Sequence, residues 1–229
     1  MRGAGNRNGA GNRNTDTDND TNNDKRKCRT GHGAGKVGLM NDAGFARNYL
    51  TELASLLPQL DAGRIGEAIA LMRAVRDSGK TIYICGNGGS ASIASQMVVD
   101  IVKGASFRKR ARFRMISLTD SLATITAYGN DEGYETVFVE PLKNFATAGD
   151  LLICISGSGN SPNVLRAMEY ARQVGCHTMA LTTGQGGRLR DLADLPLLIP
   201  SGHMGRLEDC FFILTHVLCY AFIEEPNVG

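Results

Sequence analysis

Residues 81–92, TIYICGNGGSAS, and residues 151–164, LLICISGSGNSPNV, decide the fold of this chain. Each begins as a short apolar run, turns through glycine and serine, and continues into a segment with the apolar spacing of a helix. A continuous apolar strand is buried on both faces, which is the condition of a parallel sheet covered by helices on each side. The turns also suit an anion. A helix N-terminus presents free N–H groups and a partial positive charge, and serine hydroxyls add donors without adding charge. The sequence predicts helices starting at Ser90 and at Ser161, with Pro162 suited to the first helical position. Ser156, Ser158 and Ser161 form the richer cradle, and Ser90 with the backbone at Gly88, Gly89 and Gly157 belongs to the same candidate site.

The first turn also satisfies the glycine pattern of a dinucleotide-binding loop. That reading wants an acid closing a second strand about 20 residues on, to hold a ribose hydroxyl. The chain has FRKRARFR at residues 107–114 instead, so no nucleotide cofactor is expected. This basic stretch reads as a solvated loop, and a formal net charge of +2 gives no drive toward nucleic acid.

Outward from the two turns, further apolar runs at residues 112–118, 178–182 and 196–200 alternate mostly with helical segments. Two helices precede the first strand, one with Phe45, Tyr49, Leu53, Leu56 and Leu57 on a face, the other with Ile65, Ala68, Ile69, Met72 and Val75. The expected architecture is α/β, a three-layer αβα sandwich with a five-stranded parallel sheet, preceded by the helical pair. In a sheet of order 2-1-3-4-5, strands one and three are neighbours. Both glycine–serine turns then meet at the point where the strand order reverses, which is where such sheets bind ligands.

Residues 1–40 carry a tandem repeat, GAGNRN at 3–8 and again at 9–14, and then TDTDNDTNND at 15–24. Such a tract buries too little apolar surface to offset chain entropy, so a disordered low-complexity extension is expected, with the folded domain spanning 41–229. Alternating Asp16, Asp18 and Asp20 lack the glycine turn and terminal glutamate of a calcium loop. No apolar stretch is long enough to span a bilayer and no signal-peptide core is present, so no membrane partner is expected. Cys85, Cys154, Cys210 and Cys219 lie inside apolar runs without a CxxC pair, as small core residues in a reducing, cytoplasmic compartment would.

The segments GNGGSAS (86–92), SLTD (117–120), GNDEGYE (129–135), GDLLICISGSGNSPNV (149–164) and RLEDCFFILTHVLC (206–219) together resemble the sugar isomerase (SIS) domain, and most nearly its phosphoheptose isomerase branch. The resemblance covers residues 42–225. It implies a homotetramer with sites at subunit interfaces, and isomerisation of sedoheptulose 7-phosphate to D-glycero-D-manno-heptose 7-phosphate. It also implies that Ser90, Ser156, Ser158 and Ser161 bind phosphate, that Asn87 and Asp120 contact the sugar, and that Arg206 and Glu208 occupy substrate-binding positions.

The family's catalytic histidine falls on His216 and its catalytic glutamate on Asp100, one methylene shorter. Zinc-binding members have histidine and glutamine where this chain has Gln96 and Glu208, so the implied metal set is Gln96, Asp100, Glu208 and His216, holding one divalent ion with zinc favoured. A basic residue expected near the acid is also out of place, with Lys103 one position early and Gly104 at the position itself. Ketose–aldose conversion needs a base for the C1 proton and an acid for the C2 oxygen, roles that Asp100 and His216 divide. Two other readings stand beside this one: a non-catalytic SIS regulator of the replication-initiator-associating type, binding a sugar phosphate or a protein, and an isomerase of another ketose phosphate.

Deleting residues 1–40 is expected to leave the thermal midpoint and the oligomeric state unchanged, by calorimetry and light scattering. A truncated chain that does not fold would contradict the domain boundary.

Overall fold

The computed structural model describes residues 41–226, so the expectation for residues 1–40 lies outside the described residues. The elements run α1 (Asp42–Leu56), α2 (Ala62–Asp77), β1 (Thr81–Gly86), α3 (Gly89–Val99), β2 (Arg114–Ser117), α4 (Leu122–Asp131), α5 (Val139–Lys143), β3 (Leu151–Ser156), α6 (Pro162–Gln173), β4 (His177–Thr183), α7 (Gly187–Leu192), β5 (Leu195–Ile199) and α8 (Met204–Ile223). All five strands are parallel, in the order β2-β1-β3-β4-β5.

Every residue of β1 and β3 is buried, because helices cover both faces of the sheet centre. Alternate residues of each strand enter opposite cores. Ile82, Ile84, Ile153 and Met179 pack with Met72, Met97, Phe211 and Leu218 from α2, α3 and α8. Tyr83, Cys85, Leu152, Cys154 and Ala180 pack with Phe138, Leu142 and Met168 from the α5 and α6 side. Cys210 and Cys219 are fully buried as well, and burial pushes the Cys219 thiol up to about 12, which makes it a packing group rather than a nucleophile. Among the described residues no helix is long and apolar enough to cross a membrane.

Two local expectations need correction. The helix after β1 starts at Gly89 rather than Ser90, because Gly88, at φ +54°, makes the reversal and serves as the N-cap. The second strand is shorter than residues 112–118, because Phe113 gives its N–H to the Ser106 hydroxyl and β2 is an edge strand that pairs with β1 alone. The helical pair forms as read, but α1 has no buried residue and leaves Phe45 and Leu50 exposed. Its inner side packs Leu53 and Leu56, partly buried, against the core, and the Tyr49 hydroxyl donates to Asp209 of α8 at 2.7 Å.

The turn after β3 packs against the turn after β4. Gly159 has φ +64°, and a Cβ there would lie 1.9 Å from the carbonyl oxygen of Gly186. Gly159→Ala is therefore expected to destabilise the fold by more than about 2 kcal/mol, from the left-handed backbone and the backbone collision together, measured by urea unfolding.

Candidate active site

The β1–β3 register, Ile82 opposite Leu151 through Gly86 opposite Ile155, sets the two glycine–serine turns side by side at the carboxyl edge of the sheet. Ser161 caps α6 by position, with Pro162 next, yet its side chain makes no capping bond. Its hydroxyl instead lies 3.4 Å from that of Ser156, which accepts the Gly159 N–H at 3.2 Å. Ser158 is exposed and accepts the Asn160 N–H. The first turn of α3 is more closed, since Ser90 and Ala91 bond back to the carbonyls of Asn87 and Gly88. Ser158 and Ser161 of the β3–α6 turn are thus the better-presented hydroxyls, while Ser90 and Ser156 are both buried.

Two residues outside the sequence-derived set tie the turns together. Asn163, on the first turn of α6 and 1% exposed, pairs reciprocally with Asn87: each amide nitrogen donates to the other's oxygen, at 3.0 and 2.8 Å. The Val164 N–H donates to the Asn163 oxygen at 3.0 Å, which fixes the orientation of both amides. The Tyr134 hydroxyl then donates to the Asn87 oxygen at 3.0 Å, filling its second lone pair. Asn87 therefore faces a ligand as a donor through its remaining N–H, suited to a phosphate, carbonyl or hydroxyl oxygen. Both partners lie within the quoted segments SGSGNSPNV and GNDEGYE, but only the tertiary pairing marks them out.

The acid and base candidates form a second group. His216 Nε2 lies 3.7 Å from Asp100 Oδ2, and the Gln96 amide donates to Asp100 Oδ1 at 3.1 Å. At Asp100 the α3 helix passes into a π-helical segment, Asp100–Gly104, whose wider turn is closed by Ala105 N–H donating to the Asp100 carbonyl at 2.8 Å. Such segments recur at functional sites. Gly104 packs against Ile223 of α8, whose Cδ1 would stand 2.9 Å from a Cβ there, so a side chain at that position would first have to displace Ile223. Asp100 is eleven residues beyond Gly89, roughly 16 Å along a helix. The pair thus stands at the far end of α3 from the first glycine–serine turn.

The remaining expected residues are dispersed. Asp120 accepts from the Ser95 hydroxyl at the edge between α3 and the β2–α4 turn. Glu208 lies against the start of α3, its carboxylate 2.6 Å from where a Gly89 Cβ would be, two helical turns from His216. Gln96, Asp100, Glu208 and His216 thus fall in two places, and among the described residues no three of His, Cys, Asp or Glu gather as a metal site. Gln96, Asp100 and His216 meet, and Glu208 stands apart from them at the start of α3. Arg206 does not reach the cradle either. It ion-pairs with Glu52 and lies over the Tyr49 ring at 5.0 Å, because α1 offers it a carboxylate and an aromatic face in a largely buried position.

Asn163→Asp keeps the side-chain shape but sets an acceptor against the Asn87 oxygen and a negative charge beside the cradle. It is expected to weaken sugar-phosphate binding about tenfold or more, measured by titration calorimetry. Unchanged affinity would separate the amide pair from the ligand site.

The SIS domain profile matches residues 47–183. The phosphoheptose isomerase of a Nitratiruptor species is 41% identical over 146 residues, covering 64% of this chain and 77% of that protein. That of Akkermansia muciniphila is 35% identical over 187 residues, covering 81% of this chain and 98% of its own length. The solved phosphoheptose isomerase from Francisella tularensis superposes with a TM-score of 0.76 at 27% identity, covering 81% of this chain and all of that one. With strands β1 to β4 and both glycine–serine turns inside residues 47–183, the chain belongs to the SIS domain family, in the phosphoheptose isomerase branch.

Proposed function

We propose that the protein is an aldose–ketose isomerase that converts sedoheptulose 7-phosphate to D-glycero-D-manno-heptose 7-phosphate. The observation that carries the reading is the Asp100–His216 pair, 3.7 Å apart, in a chain that also presents a hydroxyl cradle at the sheet edge. In the forward direction one member of the pair takes a proton from C1 while the other delivers a proton to the C2 carbonyl oxygen, leaving an enediol. The enediol then returns: C2 takes a proton, the O1 proton is withdrawn, and the aldehyde forms at C1. No redox partner is needed, since the two carbons exchange oxidation state. The phosphate end is anchored by Ser156, Ser158 and Ser161, with Asn87 donating nearby and Asp120 placed to accept from a sugar hydroxyl. No step is routed through a metal; an ion at Asp100 and His216, with Gln96 beside them, would polarise the C2 carbonyl.

The reading includes a homotetramer. Roughly 16 Å between Asp100 and the start of α3 supports a site in which one copy's pair completes another copy's cradle. Exposed apolar side chains on α1, α3 and α8, among them Phe45, Val99, Val217 and Tyr220, supply faces for such contacts. A cytoplasmic location accords with the buried thiols of Cys85, Cys154, Cys210 and Cys219.

Proton exchange at C1 of sedoheptulose 7-phosphate tests the reading. Asp100→Asn and His216→Gln are each expected to abolish exchange, while Asp100→Glu, which restores the longer acid, retains or raises it. Ser156→Ala with Ser158→Ala removes two donors at about 1 kcal/mol each and is expected to appear as weaker sugar-phosphate binding. If the unaltered protein exchanges no proton with any ketose phosphate and Asp100→Glu does not create exchange, the non-catalytic regulator takes its place. Metal content of the purified protein and of His216→Gln, by plasma emission spectrometry, checks the zinc expectation independently.

A further inference from the structure

The cradle of Ser156, Ser158 and Ser161 consists of neutral donors, and Arg206, at a substrate-binding position by the resemblance, is held by Glu52 of α1. A cavity of about 520 Å³ opens between the first turn of α6 and the single 3-10 turn Tyr134–Thr136, lined by Asn87, Ser161, Asn163, Glu135 and Arg166 among others. Arg166 brings a permanent cation to the same cavity as the Ser161 hydroxyl and the oriented Asn87 amide. Long side chains on a helix lean toward its N-terminus, the end of α6 at which Ser161 stands.

Arg166 is not idle there. Its guanidinium lies 3.5 Å from Glu135 Oε1, with the two side chains 52% and 41% exposed. Gly133, at φ +98°, leaves room for that carboxylate: a Cβ there would stand 2.8 Å from Glu135 Oε2. The contact is long for a charge-assisted hydrogen bond and exposed enough to be weak. A phosphate monoester carries more charge and three acceptor oxygens, so it competes well for the same cation.

We propose that Arg166 is a binding cation for the substrate's phosphate monoester, and that Glu135 is an internal carboxylate that holds Arg166 until the phosphate displaces it. The inference rests on the reading that the cradle binds a sugar phosphate. It gives the site a charge-exchange step: Glu135 gives up the guanidinium as the phosphate takes it, and the carboxylate is left in solvent at the cavity mouth. The two side chains then have opposite effects on affinity, which a merely structural ion pair would not produce.

Titration calorimetry of the full chain with inorganic phosphate at pH 8 separates these roles. Arg166→Gln is expected to bind phosphate about tenfold more weakly, with Arg166→Lys recovering part of the loss as a point charge without the fork. Glu135→Gln is expected to bind severalfold more tightly, since the competitor is removed. Equal binding by Arg166→Gln and the unaltered protein, while Ser156→Ala with Ser158→Ala weakens it, overturns the inference and leaves the cradle in place. Glu135→Gln that binds no more tightly than the unaltered protein overturns the exchange. Absence of phosphate binding by the unaltered protein overturns the cradle and the inference together.

Discussion

The pairing of β1 with β3 is the constraint on which the candidate site depends. Neither glycine–serine turn is much of a site alone: the one after β1 closes its own first amides, and the one after β3 has hydroxyls but no reach. Set side by side by the register, they exchange amide bonds through Asn87 and Asn163 and become one surface. The Val164 N–H then passes a direction through that surface. It fixes Asn163, Asn163 fixes Asn87, and Asn87 meets the Tyr134 hydroxyl with its only acceptor already half used. Polarity at the sheet edge is thus determined by one backbone amide and propagated by geometry.

The Asp100–His216 pair obeys a different element contact, that of α3 with α8. These helices run with Gly89 against Glu208 at one end and Gly104 against Ile223 at the other. The acid sits where α3 widens into its π-helical segment, and the histidine is the α8 residue that meets it there. Glu208 and the Asp100–His216 contact therefore lie at opposite ends of α3.

The strands were legible because burial on both faces leaves a mark that survives any neighbour: TIYIC and LLICIS have no polar position to spare for solvent. The order of the sheet followed from the same marks and the rule that ligand-binding turns meet where the order reverses. The departures share another cause. Ser90 was displaced as helix start by a positive φ at Gly88, a backbone property that a glycine-rich string only permits. Arg206 turned away because Glu52 and Tyr49 stand across from it on α1, more than 150 residues earlier in the chain. The π-helical segment alters the period over five residues, too few for apolar spacing to register. Asn163 and Tyr134 were inside recognised segments but silent, because what distinguishes a bonded amide from a solvated one is its partner.

The amide pair also has a bearing on how the protein comes to exist. Asn87 and Asn163 are 76 positions apart, and β1 acquires its β3 neighbour only after α3, β2, α4 and α5 have been made. The joined surface cannot be prepared by a local fragment, whatever the quality of its turn sequences. Its assembly belongs to the non-local, slower part of the folding reaction, when loop closure across the middle of the chain has already been met by sheet burial. A chain ending after β2 carries a complete GNGGS motif but neither β3 nor Asn163, so its first turn has nothing to join.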